Sequence, residues 1–485
     1  MGQELLKILV DGINYKTTKP QKILVDFSSP NIAKELHVGH LRSTIIGDTT
    51  SKIFEFMGNE VLRINHIGDW GTQFGMLTAS LFDTYPDFME KKPNLGELTV
   101  FYKKSKEKFD SDEAFKKKSH ENVVKLQSGD PKITEAWKYL CDLSRKEFQL
   151  IYDRLDIKIQ EMGESFYNPF IPSTIKYLED KGIIKIDKGA KVIFVPGQKT
   201  PLMAQKSDGG YSYDSTDLAA IRYRFLDIKC DRIIYITDIG QELHFKLIFG
   251  AAEMAGWHVP PKTRTDHMGF GLVLGEDGKR IKTREGKSER FMDLLDEAVV
   301  QASAQLAERK KEGSSIAGLS EEELKDSAER IGMASIKYFD LRQNRISNYP
   351  FSYKKMLDSK GDTALYLLYA YARLDSILRK AGIDQTKAQE IAKTTKINIA
   401  HEKERKLAIE ILQFPEVLDL FTEELLPHKL CTLLYNIASY VGEFYENCKV
   451  IGTPEQDSRL MLIATSLKMM KCIFYLLGIE PLTKI

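Results

Sequence analysis

Two histidines, His37 and His40, stand three apart with Gly39 between them in NIAKELHVGHLRSTIIGD, residues 31–48. The stretch follows KILVDFSSP and precedes INHIGDWGTQFG. Where a loop becomes a helix after a strand, unpaired backbone N–H groups and a partial positive charge point outward, which suits a phosphate. Gly39 carries no side chain and is expected to let a flat ring or a ribose approach the backbone. His37 and His40 lie about one helical turn apart, so both can face one ligand and donate to phosphate oxygens as charge builds there. A metal site needs more ligands, and no Cys or His cluster nearby supplies them. The four letters alone could arise by chance; the strand, the Ser-Ser-Pro-Asn turn and the helix around them make that a poor account.

These elements are legible around the motif. Residues 22–27, KILVDF, form a short apolar run ended by Ser-Ser-Pro, which predicts a buried strand and a turn. Leu41, Ile45, Ile46, Ile53, Phe54 and Met57 recur at helical spacing up to Gly58-Asn59. EVLRINHIGDWG then predicts a second strand entering a Gly-rich loop, and strand, helix, strand in this order implies a parallel sheet. Residues 86–150 are rich in Lys, Glu and Asp and predict an inserted helical subdomain. Strand signals resume at 191–196 (KVIFVP) and 231–238 (DRIIYITD), where the sheet is expected to continue. Beyond about residue 290 they nearly vanish, and long amphipathic runs predict a helical bundle. The expected division is 1–290 for the α/β unit, 291–345 for a helical connector and 346–485 for the bundle.

Composition sets bounds. With 485 residues, two or three domains are expected. Hydrophobic residues at 42% and charged residues at 29% suit a chain with a real core. Lys+Arg number 70 against 69 Asp+Glu, so any nucleic-acid surface must be local rather than global. The cysteines (141, 230, 431, 448 and 472) are scattered without a C-x-x-C pair, which argues against disulfides and a structural zinc and fits a reducing compartment. MGQELLKILVDG lacks a signal peptide's apolar core, and the longest apolar run, LYLLYAYA, is too short for a membrane. A cytoplasmic location is expected.

HVGH resembles the HIGH signature of class I aminoacyl-tRNA synthetases and related nucleotidyltransferases. Its surroundings, DFSSPNIAKELHVGHLRSTIIGD and NHIGDWGTQFG, together with KSDGGYSYDSTDLAA, GFGLVLGEDGKRIKTREG and GDTALYLLYAYARLDSI, resemble arginyl-tRNA synthetases of the eukaryotic cytosolic type. The likeness spans nearly the whole chain. It implies a multidomain α/β protein: a Rossmann-like catalytic domain with a helical insertion, followed by an all-α anticodon-binding bundle. It implies adenylation of arginine by ATP, with Mg²⁺ accompanying the nucleotide, and transfer to tRNA(Arg). Arginine activation in the family usually requires bound tRNA. The protein is expected to act as a monomer with tRNA(Arg), L-arginine and ATP as partners and no membrane. The N-terminal domain that grips the tRNA elbow in this family is not expected here, since only some twenty residues precede the first strand.

The resemblance carries over residue by residue. KRIKT, residues 279–283 within a loop at 275–287, matches the second class I signature, which gives Lys279, Lys282 and Thr283 to the triphosphate. Lys34 shares that task. Tyr213 and Asp217, four apart and so on one face of a helix, match the guanidinium contacts; a planar, permanently charged fork is best met by a carboxylate. Ser29, Pro30, Asn31, His40 and Gln241 match the remainder of the amino-acid pocket, with Asp26 and Glu164 as further acidic neighbours. His66 and Trp70 read as structural before chemical, and His244 as supporting. In the bundle, Lys360, Tyr366, Tyr369, Tyr371 and Arg373 interleave cations with rings, a pattern suited to splayed bases, although tyrosines on such a helix are often core.

Three other classes fit the sequence less well. A protein that has lost catalysis and only binds RNA has no use for His37, His40, Asn31, Tyr213 and Asp217 together. A small-molecule nucleotidyltransferase has no use for the long helical C-terminal region. Among other class I ligases, a cysteinyl enzyme calls for zinc ligands and a large-aliphatic enzyme for a long editing insertion.

Overall fold

The structure is a computed structural model and describes residues 1–95, 98–279, 290–311, 316 and 318–485. Its centre is a five-stranded parallel sheet built from Lys22–Asp26, Glu60–Asn65, Gln160–Glu161, Arg232–Tyr235 and Arg264–His267. Ile23, Leu24, Val25, Ile233 and Ile234 are fully buried, as expected of strands covered on both faces. The Val38–Phe56 helix crosses from the first strand to the second. It lies close because residue 47 is glycine: a Cβ there would come within 2.1 Å of the Phe27 ring. From the central Lys22–Asp26 strand the chain first winds toward Glu60–Asn65 and later returns on the other side with Arg232–Tyr235. Such a reversal opens a crevice at the carboxyl ends of the strands.

Between the second and third strands come the helices Thr72–Thr84, Leu98–Ser111, Glu113–Gln127 and Pro131–Arg154. Asp112 and Asp130 cap two of them by accepting from the backbone N–H groups two and three residues on. The insertion is therefore helical, as its composition predicts.

The 191–196 expectation needs correction. Ala190–Ile193 does not extend the parallel sheet; it pairs antiparallel with Ile184–Asp187 and Leu202–Gln205 in a separate three-stranded sheet. Lys188 and Gly189 both have positive φ, 47° and 82°, and make a two-residue hairpin turn. A turn that short enforces antiparallel pairing. Arg232–Tyr235, from the 231–238 segment, does rejoin the parallel sheet.

After residue 290 the described residues are mainly helical, apart from the two-residue strand Tyr349–Pro350 that pairs parallel with Val273–Leu274; the longer helices are Phe291–Lys311, Glu321–Leu341, Ala364–Lys380, Gln385–Thr394, Glu402–Leu412, Phe414–Glu424, His428–Asn447 and Gln456–Leu476. The first helix, Gly2–Val10, packs on this bundle rather than on the sheet with which the 1–290 division groups it. Its buried face is Leu5, Leu6 and Leu9, and Lys468 Nζ donates to Leu9 O at 3.0 Å. No helix among the described residues is long and apolar enough to cross a membrane.

Candidate active site

The HVGH helix opens with a reciprocal cap. His37 Nδ1 accepts from Gly39 N at 2.9 Å, and His40 Nδ1 accepts from His37 N at 3.2 Å. Two of the N–H groups expected to await a phosphate are thus already satisfied by imidazoles. With Nδ1 as acceptor, a neutral ring carries its hydrogen on Nε2. The rings lie 4.1 Å apart between centroids. Burial, followed by the influence of His37 and Lys34, pushes His40 down to about 3, so it is neutral at physiological pH. Gly39 also has a different reason from the expected one: a Cβ there would sit 2.6 Å from His37 Cε1, so the glycine makes room for the capping ring.

The loop leading to this helix is held in costly backbone conformations. Ser28, Ser29 and Ala33 have φ of 68°, 47° and 62°. Each such residue costs on the order of 1–3 kcal/mol and persists only where its surroundings enforce it. Here Ser28 N donates to Ser43 Oγ at 2.9 Å, Ser29 N to Asn65 Oδ1 at 2.9 Å and Ala33 N to Ser144 Oγ at 2.9 Å. Tyr152 OH bonds both Ser28 Oγ (2.8 Å) and Asn65 Nδ2 (3.1 Å). Gly68 N donates to Pro30 O, and Ile32 N to Gly68 O. Pro30 is thereby buried against the second strand's exit, while Ser29 is half-buried and Asn31 exposed at the sheet's crest.

A carboxylate recess forms on the other side of the central strand. Tyr213–Leu226 is a helix, so Tyr213 and Asp217 share a face, with Tyr213 63% exposed. His244 Nε2 lies 2.7 Å from Asp217 Oδ2, and its Nδ1 lies 3.2 Å from Asp214 Oδ1. A ring facing acceptor-only carboxylates at both nitrogens has to donate twice, which requires the imidazolium. Burial works against that charge, but the bonds to Asp214 and Asp217 override it and lift His244 to about 9. Burial likewise opposes ionisation of Asp217, yet the bond to His244 and the charges of His244 and Arg224 hold it below the ordinary carboxylate range. Glu164 goes the other way: burial, reinforced by Asp217 and Asp69, raises it to about 8.

Asp26 is not an open acceptor for a substrate, contrary to expectation. The fully buried Arg224 places Nη2 2.7 Å from Asp26 Oδ2, and Ser29 Oγ donates to Asp26 Oδ1 at 2.9 Å. Arg224 Nη2 also donates toward His66 Nδ1 at 3.2 Å. His66 stacks on Tyr167 at 5.2 Å, and burial lowers its affinity for a proton. Sequence reasoning missed Arg224, although its place seven residues after Asp217 puts it two turns along the same helix face. Asp26 ends the strand whose loop leads into HVGH, so the recess and the histidine pair share one crest.

Gln241 ends a short turn, Ile239–Gln241, at the carboxyl edge of the Arg232–Tyr235 strand, one turn before His244. Lys34 is exposed with Nζ 5.8 Å from the Tyr102 ring of the insertion. Lys279 N donates to Asp277 Oδ1 at 3.0 Å; Lys282 and Thr283 lie outside the described residues. Trp70 packs edge-on to Trp137, in keeping with a structural reading.

On the Ala364–Lys380 helix, Tyr371 is only 5% exposed and packs edge-on to Phe474, so it is a core ring and not an RNA-facing one. Its neighbours differ. Tyr366 lies half-buried beside Tyr435, Tyr369 sits under Arg309 at 4.0 Å, Arg373 is exposed over Tyr445 at 4.9 Å, and Lys360 is exposed before the helix.

Comparison with known proteins bears on this arrangement. The family profile described as tRNA synthetases class I (R), catalytic domain, matches residues 4–353, and that of the DALR anticodon binding domain matches residues 367–485. The chain is 47% identical to the cytoplasmic arginine–tRNA ligase of Mus musculus, across 100% of this chain and 74% of that protein. It is 49% identical to the chloroplastic/mitochondrial arginine–tRNA ligase of Arabidopsis thaliana, across 100% of this chain and 75% of that protein. The crystal structure of arginyl-tRNA synthetase from Plasmodium falciparum superposes with a TM-score of 0.87 at 35% identity, covering 100% of this chain and 83% of that one. Arginyl-tRNA synthetase from Thermus thermophilus shares the fold, with a TM-score of 0.79 at 22% identity over 100% of this chain and 86% of that one.

Proposed function

The chain belongs to the class I arginyl-tRNA synthetases, and from that premise we propose how its residues ligate arginine to tRNA. The observation that supports this reading best is the ionised, half-buried Asp217 on the same sheet crest as the helix-capping histidine pair. Asp217 and Tyr213 receive the guanidinium, with Glu164 as a second acidic neighbour. Asn31, Ser29, Pro30, His40 and Gln241 hold the backbone end of the amino acid. Asp26 acts through Arg224 and does not touch substrate.

ATP lies over Gly39 and the HVGH turn. An oxygen of the arginine carboxylate bonds to the α-phosphorus, the bond from that phosphorus to the bridging oxygen breaks, and pyrophosphate leaves. The Nε2–H groups of His37 and His40 donate to phosphate oxygens as charge develops, without placing a buried charge there beforehand. Lys34, Lys279, Lys282 and Thr283 follow the departing pyrophosphate. A terminal ribose hydroxyl of tRNA then attacks the acyl carbon and releases AMP. No enzyme nucleophile is needed; positioning and charge stabilisation carry the reaction.

The histidine N–H groups and lysines near the phosphates are donors, so they suit phosphate oxygens rather than a bare cation. Among the described residues no group of three or more His, Cys, Asp or Glu could hold a metal. We therefore assign Mg²⁺ to the oxygens of the triphosphate itself. On the bundle, Lys360, Tyr366, Tyr369 and Arg373 are the candidates for the tRNA anticodon. A cytoplasmic location is supported by relatives named for that compartment, while the Arabidopsis relative is named for organelles.

ATP–pyrophosphate exchange with arginine, run with and without cognate tRNA, tests the reading. Exchange that depends on arginine is expected. No exchange at saturating arginine, ATP and tRNA would overturn it.

A further inference from the structure

The arginine recess already contains a cation. His244 stands in the first turn of the Glu242–Ala255 helix, after the carboxyl end of the Arg232–Tyr235 strand. Its ring is held from several sides: Asp217 Oδ2 at 2.7 Å from Nε2, Asp214 Oδ1 at 3.2 Å from Nδ1, and the Tyr213 and Phe245 rings each at 5.2 Å between centroids. Asp217 Oδ1 accepts no hydrogen bond from a described residue.

We propose that His244 is a positioning residue that sets selectivity for arginine, by holding Oδ2 of Asp217 so that the substrate's fork meets Oδ1 and takes its second acceptor from Glu164. The proposal rests on the assignment of Asp217 to the guanidinium. Three steps lead to it. A fork lying side-on against one carboxylate uses both oxygens, and here one of them is already engaged by a charged donor. Glu164 opens the short Glu164–Tyr167 helix, which packs on the Tyr213–Leu226 helix that carries Asp217, so a second acidic group borders the same space. Finally, the resident imidazolium repels any cation entering beside it. A guanidinium spreads its charge over a plane and is weakly hydrated, whereas an ammonium concentrates it and is strongly hydrated. The same imidazolium that readies Asp217 thus penalises lysine more than arginine, a repulsive element built into the pocket.

The experiment is arginine- and tRNA-dependent ATP–pyrophosphate exchange on wild type, His244→Ala, His244→Gln and Asp214→Asn. His244→Ala is expected to raise KM for arginine about 10- to 100-fold, because Asp217 loses the charged hydrogen bond that fixes Oδ1 toward the fork and this outweighs the relief of repulsion, with KM for ATP within about twofold. His244→Gln keeps an amide donor for Asp217 and should recover most of that loss. Asp214→Asn, which slackens the ring's second anchor, should raise KM for arginine by a smaller factor. An unchanged arginine KM in His244→Ala, a parallel rise in both KM values, or a glutamine variant no better than alanine would each overturn the proposal. Should His244→Ala fail to fold, the glutamine and Asp214→Asn variants decide it by the same arginine-to-ATP contrast. A silent wild-type enzyme would instead overturn the functional assignment beneath it.

Discussion

Asp217 and Glu164 border one recess, yet the surroundings drive their protons apart: the first is held ionised by His244, the second kept protonated by burial and by Asp217 itself. Two carboxyls with separated proton affinities imply two behaviours when a cation arrives. Replacing Asp217 by Asn removes the committed charge and should raise KM for arginine about 10- to 100-fold while leaving KM for ATP within about twofold. Equal losses in both constants would count against its role. Glu164 makes a prediction about protons. With its affinity raised to about 8, it is mostly neutral at pH 7 in the empty site. A bound guanidinium favours the carboxylate and lowers that value, so arginine binding releases a proton. Affinity for arginine should therefore climb as pH rises toward 8 and level off above it. Calorimetry at pH 7 in buffers of different ionisation enthalpy should show a net release of up to one proton, absent in Glu164→Gln. Binding with no proton exchange in the wild type would refute this.

At the scale of elements, the insertion and the catalytic loop prove to be one mechanical unit. Ser144 and Tyr152, on the Pro131–Arg154 helix, hold the left-handed backbone of residues 28–33 in place. Tyr152→Phe leaves the ring and removes the hydroxyl shared by Ser28 and Asn65. A loss of about 1–3 kcal/mol is expected, measured by urea unfolding, together with slower adenylate formation. Wild-type rates with wild-type stability would show that the loop does not need this tie. None of it was legible beforehand. The buried strands and the HVGH helix were readable because apolar runs and 3.6-residue spacing are local properties. The partner of a short apolar run is not local, which is why residues 191–196 read as a continuation of the parallel sheet although the Lys188–Gly189 turn pairs Ala190–Ile193 antiparallel with Ile184–Asp187. The recess divides in the same way. Tyr213 and Asp217 could be paired from their spacing, but Asp26 could not be matched with Arg224, nor an imidazole with the backbone N–H it caps, because only the closed fold brings them together.

Across the whole molecule, the bundle is fastened to the sheet at points that reach the catalytic helix. Phe421 packs on Phe54 at 5.7 Å, Arg232 Nη1 donates to Thr422 O at 2.9 Å, and Lys337 Nζ donates to Leu155 O and Gly478 O at 2.6 Å each. The deepest fastening is Arg42, two residues past His40, whose Nε lies 2.9 Å from Asp340 Oδ1 with the two side chains 1% and 0% exposed. Arg42 Nη1 also donates to Gly271 O at 2.9 Å and Ser347 O at 3.0 Å, while Tyr349 OH donates to Asp340 Oδ1 at 2.8 Å. The start of the HVGH helix is thereby tied to the Glu321–Leu341 helix, which in turn packs on Ala364–Lys380. Removing one partner of a buried ion pair leaves the other charge uncompensated, at a cost of about 3–5 kcal/mol, whereas replacing both by apolar groups is often close to neutral. Asp340→Ala should accordingly lower stability by that amount in urea unfolding, and Arg42→Met combined with Asp340→Leu should regain most of it. If the double variant is as unstable as the single, the carbonyl bonds from Arg42 to Gly271 and Ser347, and not the ion pair, carry the join between sheet and bundle.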